Sequence, residues 1–258
     1  MIQEYNRPAT LEAALALLRR TEPPTWPLGG GTALTGAVRQ SIAVVDLQGL
    51  GLNTFEVVGN TLHLGATLTL QGLLDHLTGL DAGGAGLGIS LQKAITHEAT
   101  YNLRMAATVA GTLVAGGGRS PFTTTLLALD AALLLQPGDE TISLGDLLPV
   151  RTERLRQRLI TRVSLPLNVR LAYEYVARTP ADRPIVCAAV TAWPSGRVRA
   201  GLGGYGALPR LAFDGTEAEG AVAAAQSAYS HCGDTWASAE YRQAVAGVLV
   251  ERCLSSLK

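Results

Sequence analysis

Trp26-Pro-Leu-Gly-Gly-Gly-Thr-Ala-Leu34 is the stretch on which the reading of this chain turns. A second run of the same kind lies further on, Ala107-Thr-Val-Ala-Gly-Thr-Leu-Val-Ala-Gly-Gly-Gly118. Each sets glycine and other small residues beside an apolar, strand-like segment. Without a Cβ, glycine lets backbone N–H groups come close to an anion, and φ > 0 costs it little. Two such loops in one chain can clasp the two phosphates of a dinucleotide. Taken singly, each is also what a plain turn looks like. The first run is not the Gly-x-Gly-x-x-Gly pattern followed by an acidic residue about 20 positions on. Asp46 does follow it, but inside a strand-like run, so a Rossmann fold is not expected.

Working outward, Thr10 precedes Leu11, Leu15 and Leu18, a stripe that predicts a first helix with Thr10 as its N-cap. Pro23-Pro24 breaks the chain ahead of the first glycine run. Thr32 to Arg39 reads as a short helix, and Ile42 to Leu47 as a buried strand from its unbroken apolar run. Phe55–Val58 and Thr61–Ala66 flank Gly59-Asn60 and predict a hairpin. Thr69 is placed to cap a second helix along Leu70, Leu73, Leu74 and Leu77. Leu87–Ile95 and Phe122–Leu129 read as helices, and Ala131–Gln136 as a strand closed by Pro137-Gly138.

Past Arg151–Arg158, a charged connector, the character changes. Leu159–Leu165, Leu171–Val176, Ile185–Trp193 and Val198–Gly203 are strand candidates, and two alanine-rich helices follow over 216–229 and 238–255. Strands followed by helices predict a separate α+β domain. The expected division is 1–155 and 156–258, with the first part split near residue 53 into 1–53 and 54–155.

The 258 residues carry 21 Lys+Arg against 21 Asp+Glu, a balance that offers no footprint for nucleic acid or acidic lipid. Hydrophobic residues make up 47% and charged ones 16%, the composition of a folded protein. No apolar run reaches the roughly 20 residues of a membrane span. No basic-then-apolar leader opens the chain, so no secretory signal peptide is expected, and three widely spaced cysteines favour a reducing, cytoplasmic location. Cys187, Cys232 and Cys253 are odd in number and widely spaced, and form neither a disulfide framework nor a Zn or Fe–S motif. His63, His76, His97 and His231 make no metal-ligand pair. There is no Gly-x-Ser-x-Gly elbow, no Walker A run, and no evident acid/base couple. Arg104, just before the second glycine run, is either a surface arginine or a partner for a phosphate or carboxylate.

The order of these segments resembles the FAD-binding medium subunit of molybdenum hydroxylases, the carbon monoxide dehydrogenase, xanthine dehydrogenase and aldehyde oxidoreductase group. The resemblance runs nearly end to end. It rests on Pro8-Ala-Thr-Leu-Glu-Ala13, Gly29-Gly-Gly-Thr-Ala-Leu34, Val44-Val-Asp-Leu47, Leu62-His-Leu-Gly-Ala-Thr-Leu-Thr69, Arg104-Met-Ala-Ala-Thr-Val-Ala-Gly-Thr112, Leu126-Leu-Ala-Leu-Asp-Ala131 and Asp234-Thr-Trp-Ala-Ser-Ala-Glu-Tyr-Arg242. It implies an α+β fold: two small α/β FAD-binding subdomains of the PCMH type, then a C-terminal antiparallel sheet with helices. It also implies a role, in which a molybdopterin-binding large subunit oxidises the substrate, a [2Fe–2S] small subunit carries the electrons, and the flavin subunit passes them to an acceptor.

Carried over by position, Leu28, Gly29, Gly30, Gly31, Thr32, Ala33 and Leu34 form one half of an FAD pyrophosphate cradle. Thr108, Ala110, Gly111 and Thr112 form the other, with Arg104 before it and Ser120 after it. The chain departs from the family where the family has Asp (here Ala33), Gly-Gly-Asn (Ala110-Gly111-Thr112), Ser-Asp (Ser120-Pro121) and a lysine near the flavin ring (Tyr175). Loss of a carboxylate whose partners stay buried costs about 1–3 kcal/mol. Beside the flavoprotein reading therefore stands a flavin-free scaffold of the same fold. A self-contained flavin oxidase is a third reading.

Overall fold

The computed structural model of the protein describes residues 1–34, 41–77 and 86–257. The mixed α+β architecture expected from the sequence is present, with three sheets among the described residues. The first is parallel, in the order β1 (Ile2–Asn6), β3 (Ile42–Asp46), β2 (Thr25–Leu28). Its central strand is buried along its whole length, the reason Ile42–Asp46 reads as an unbroken apolar run. Helix α1 (Leu11–Leu18) covers it through Ala14, Leu15 and Leu18, which pack with Val45 and Leu47. Thr10 caps that helix as expected, its Oγ1 accepting from the Ala13 N–H at 3.2 Å. Most of the helix expected over Thr32–Arg39 lies outside the described residues; Thr32–Leu34 form a turn.

The second sheet has the order β4 (Phe55–Val58), β5 (Thr61–Gly65), β8 (Leu159–Pro166), β6 (Ala132–Gln136), β7 (Glu140–Ser143), with the short helices α7 (Leu144–Leu147) and α8 (Arg151–Arg154) between β7 and β8. The predicted hairpin is there, with Val58 opposite Thr61. Thr69 caps α2 (Leu70–Leu77) through a 3.0 Å bond from the Gly72 N–H. Strand β8, expected with the C-terminal strands, pairs antiparallel with β6 instead, from Ala132 opposite Ser164 to Gln136 opposite Leu159.

The third sheet is antiparallel, in the order β12 (Arg210–Gly215), β11 (Val198–Gly203), β10 (Val186–Ala192), β9 (Arg170–Val176). Strand β10 alternates between two apolar layers. Val186, Ala188 and Val190 pack with residues of α9 (Ala221–Ala228) and α10 (Ala239–Ser256). Cys187 and Ala189 pack with Ala94 of α3 (Leu87–Glu98) and Ala128 of α6 (Pro121–Ala128). Burial on both faces removes the polar alternation of a one-sided strand. The two central helices, α3 and α6, thus belong with the C-terminal sheet, although they are encoded amid segments of the other sheets. Accordingly, 1–73, 101–115 and 132–164 form one compact unit, and 74–100, 116–131 and 165–258 the other.

Candidate functional site

The two glycine-rich loops meet in the first unit. Leu28 ends β2 opposite Asp46, so the chain leaves the sheet at Gly29. A short helix, α4 (Tyr101–Arg104), and a second, α5 (Val109–Ala115), bracket the other loop. A Cβ on Gly30 would lie 1.6 Å from the Ala106 carbonyl oxygen, and one on Gly29 would lie 2.8 Å from Thr108 Oγ1. Glycine at 30 therefore lets one backbone rest directly on the other, and glycine at 29 leaves room for the Thr108 side chain. Gly31 has φ +74°, in the left-handed region that other residues rarely adopt. The Gln48 side chain holds the loop by donating to the Gly29 carbonyl at 3.1 Å. Asp46, buried, accepts from the Gln48 N–H at 2.9 Å and from the Tyr5 hydroxyl, so this carboxylate serves the sheet end and not a ribose.

The amides of the two loops differ in what they do. At the start of α5, the Val109 N–H donates to Leu68 O at 2.8 Å and the Ala110 N–H to Ala66 O at 3.2 Å. The Gly111 N–H donates to Thr108 Oγ1 at 3.1 Å, and the Thr112 N–H to Thr108 O at 2.9 Å. These donors are committed to the fold. In the first loop, the N–H groups of Gly30 and Thr32 make no hydrogen bond with another described residue. Leu34 closes the turn, its N–H donating to Gly31 O at 3.0 Å, and Thr32 and Ala33 are exposed. What the first loop offers an anion is therefore its amides: those of Gly30 and Thr32 are still able to donate.

The other expected site residues fall into two places. Arg104 stays in the first unit, half-buried, its Nε donating to Gln71 Oε1 at 3.1 Å. Ser120 lies in the second unit, fully buried, as the N-cap of α6. Its Oγ donates to Glu98 Oε2 at 2.7 Å and accepts from the Thr123 N–H at 3.1 Å. Glu98, which sequence reasoning missed, is buried and also accepts from the Phe122 N–H at 3.0 Å. Burial pushes its carboxyl above the ordinary carboxylate value, against the lowering effect of the Ser120 and Phe122 bonds. Pro121 occupies the first helical position, where its missing N–H costs nothing. Tyr175 lies against His97, with 3.9 Å between ring centroids, and Lys93 Nζ stands 5.6 Å from the tyrosine ring.

The second glycine cluster is divided. Ala107–Thr112 lie beside the first loop, whereas Gly118 packs in the second unit, where a Cβ would lie 2.1 Å from Tyr205 O. Among the described residues no group of three or more His, Cys, Asp or Glu is arranged to hold a metal, and no helix is long and apolar enough to cross a membrane.

The chain is similar to YgfM of Escherichia coli K12, with 27% identity over 97% of this chain and 94% of that one. It is similar at the same identity to the nicotine 6-hydroxylase medium subunit of Paenarthrobacter nicotinovorans, over 97% of this chain and 95% of the relative. In fold it superposes on a chain of carbon monoxide dehydrogenase from Oligotropha carboxidovorans with a TM-score of 0.81 at 24% identity, covering 98% of this chain and 96% of that one. The corresponding values for quinoline 2-oxidoreductase of Pseudomonas putida 86 are 0.77 and 21%, with 98% and 96% covered. Residues 1–168 match the family described as the FAD binding domain in molybdopterin dehydrogenase. With both loops of the expected cradle inside the matched stretch, the chain belongs to the family of FAD-binding domains of molybdopterin dehydrogenases.

Proposed function

We propose that this chain is the electron-transferring FAD subunit of a multi-subunit molybdenum hydroxylase, working beside a molybdopterin-binding large subunit and a [2Fe–2S] small subunit. The observation that carries the reading is the meeting of Gly29 and Gly30 with Ala106–Thr108, which supports reading the two glycine runs as one cradle. The Gly30 and Thr32 amides would hold the pyrophosphate. Bound FAD supplies a redox centre able to take electrons from one partner and release them to another. The protein's part is to fix the position of that centre and leave it open to the acceptor. Likeness to a medium subunit along nearly the whole chain supports the three-subunit assembly. The three free, buried cysteines suit a reducing cytoplasm.

The visible spectrum of the purified chain tests this. Flavin absorbance bands are expected, and in the assembled enzyme they should bleach on addition of its substrate. A folded, colourless chain that does not take up added FAD would sink the proposal. One observation favours the flavin-free scaffold as a second reading: the Val109, Ala110 and Gly111 amides are bonded within the protein, and Ser120 is spent on Glu98. On that reading, Ala33→Asp combined with Ala110→Gly should raise FAD uptake from a low starting level.

A further inference from the structure

The peptide group between Gly29 and Gly30 is gripped by its carbonyl. The Gln48 side chain donates from Nε2 to the Gly29 oxygen at 3.1 Å. A carbonyl oxygen only accepts, so it is the NH2 end of the glutamine amide that meets it. The bond between Gly29 and Gly30 is trans. In a trans peptide the C=O and the N–H that follows lie in one plane and point in opposite directions. Holding the Gly29 carbonyl toward Gln48 therefore holds the Gly30 N–H toward the other side. That N–H makes no hydrogen bond with another described residue.

The sequence makes such a hold necessary. With no Cβ at 29 or 30, the peptide plane between them turns over at little cost. A flipped peptide would present an oxygen to an anion in place of an N–H. A stiffer residue has no room at 30, where a Cβ would lie 1.6 Å from the Ala106 oxygen. The order has to come from outside the loop. Gln48 is placed to supply it. Its residue lies in the 3₁₀ turn Leu47–Leu50 that follows β3, and its own N–H donates to Asp46 Oδ1 at 2.9 Å. Asp46 is buried and is tied to β1 by the Tyr5 hydroxyl, with Arg7 Nε 3.7 Å away. The Gln48 backbone is thus anchored to the parallel sheet. Its side chain is exposed, and among the described residues its hydrogen bond goes to Gly29.

We propose that Gln48 is a positioning residue for cofactor binding: by holding the Gly29 carbonyl, it keeps the Gly30 N–H turned toward the pyrophosphate of FAD. The inference rests on the flavoprotein reading given above. Gln48 acts through the Gly29–Gly30 peptide and has no contact of its own with the phosphates.

Titration of the flavin-free, full-length chain with FAD, followed by flavin fluorescence, tests this. Gln48→Met keeps the length of the side chain and loses its donor. It should bind FAD about three- to tenfold more weakly than the parent, the range expected for one hydrogen bond. Thermal melting of the flavin-free chain should stay that of the parent. Gln48→Glu has the parent's shape, but its ionised form cannot donate. Relative to the parent at the same pH, its affinity should be low at neutral pH. It should recover as pH falls toward the ordinary glutamate value of about 4.3, where the protonated carboxyl donates to the Gly29 oxygen again. The proposal falls if Gln48→Met binds FAD like the parent, or if Gln48→Glu stays equally weak as pH falls. It also falls if the variants lose melting temperature together with affinity, because the side chain would then support the fold and not one amide. A parent chain that takes up no FAD overturns the flavoprotein reading itself, an outcome distinct from all of these.

Discussion

At the scale of single residues, Gly30 is the position with least room for change. Its absent side chain is the contact between the two halves of the cradle, and the neighbour is a backbone carbonyl that cannot turn aside. Gly30→Ala is expected to force the loops apart, lower stability by about 1–3 kcal/mol, and cut the flavin content of the purified protein. Thermal melting and the ratio of flavin to protein absorbance measure the two effects. Glu98 makes a different prediction. Burial raises its carboxyl in the folded state, so the folded protein holds that proton more tightly than the unfolded chain does. Stability from this source is fully present below the ordinary value of 4.5 and is lost as pH rises through the raised one. Glu98→Gln keeps an acceptor for Ser120 and Phe122 but has no proton to lose. The Tm of the variant should therefore gain on the parent as pH rises above the ordinary carboxylate value of 4.5. A constant difference would show that Glu98 does not titrate there. Neither residue could be weighed correctly from sequence. The Gly30 signal was visible but shared with any turn, and Glu98 sits in a helical stretch where a glutamate is ordinarily solvated.

Among the elements, those with a local cause were legible. Thr10 and Thr69 cap the helices they were expected to cap, Gly59 closes the expected hairpin and Pro137-Gly138 makes the expected turn, while Ser238 caps the helix it precedes. Ser238 Oγ accepts from the Tyr241 N–H at 3.2 Å at the start of α10. Ser238→Ala should cost about 1 kcal/mol in chemical denaturation, with no change in flavin content. The strands that escaped notice are edge strands. Strand β1 carries Gln3, Glu4 and Asn6, β2 contains Pro27, and β12 is half exposed. Edge positions tolerate polar residues and a proline that donates no ladder bond, so the usual apolar signal is thin. The pairing of β8 with β6 was hidden for another reason. An eight-residue strand with one exposed arginine suits either sheet, and only contacts distant in sequence decide between them. The same limit applied to the second glycine cluster, whose two ends serve different units.

For the molecule as a whole, α3 and α6 matter more than their length suggests. They supply Ala94 and Ala128 to the layer that covers Cys187 and Ala189 of β10, although the chain between and after them returns to the other unit. A fragment beginning at Leu165 would carry the four-stranded sheet with that layer missing. It is expected to aggregate, or to bind a dye that reports apolar surface, where the full chain does neither. Independent, soluble folding of the fragment would refute this. There is a consequence for synthesis as well. The apolar sides of α3 and α6 leave the ribosome before the strands that will cover them have been made. At about 5–20 residues per second, the interval between Glu98 and Gly203 is on the order of ten seconds. Through that interval the nascent chain holds two sticky helices in waiting, and a holding chaperone has its clearest reason to attend this protein there.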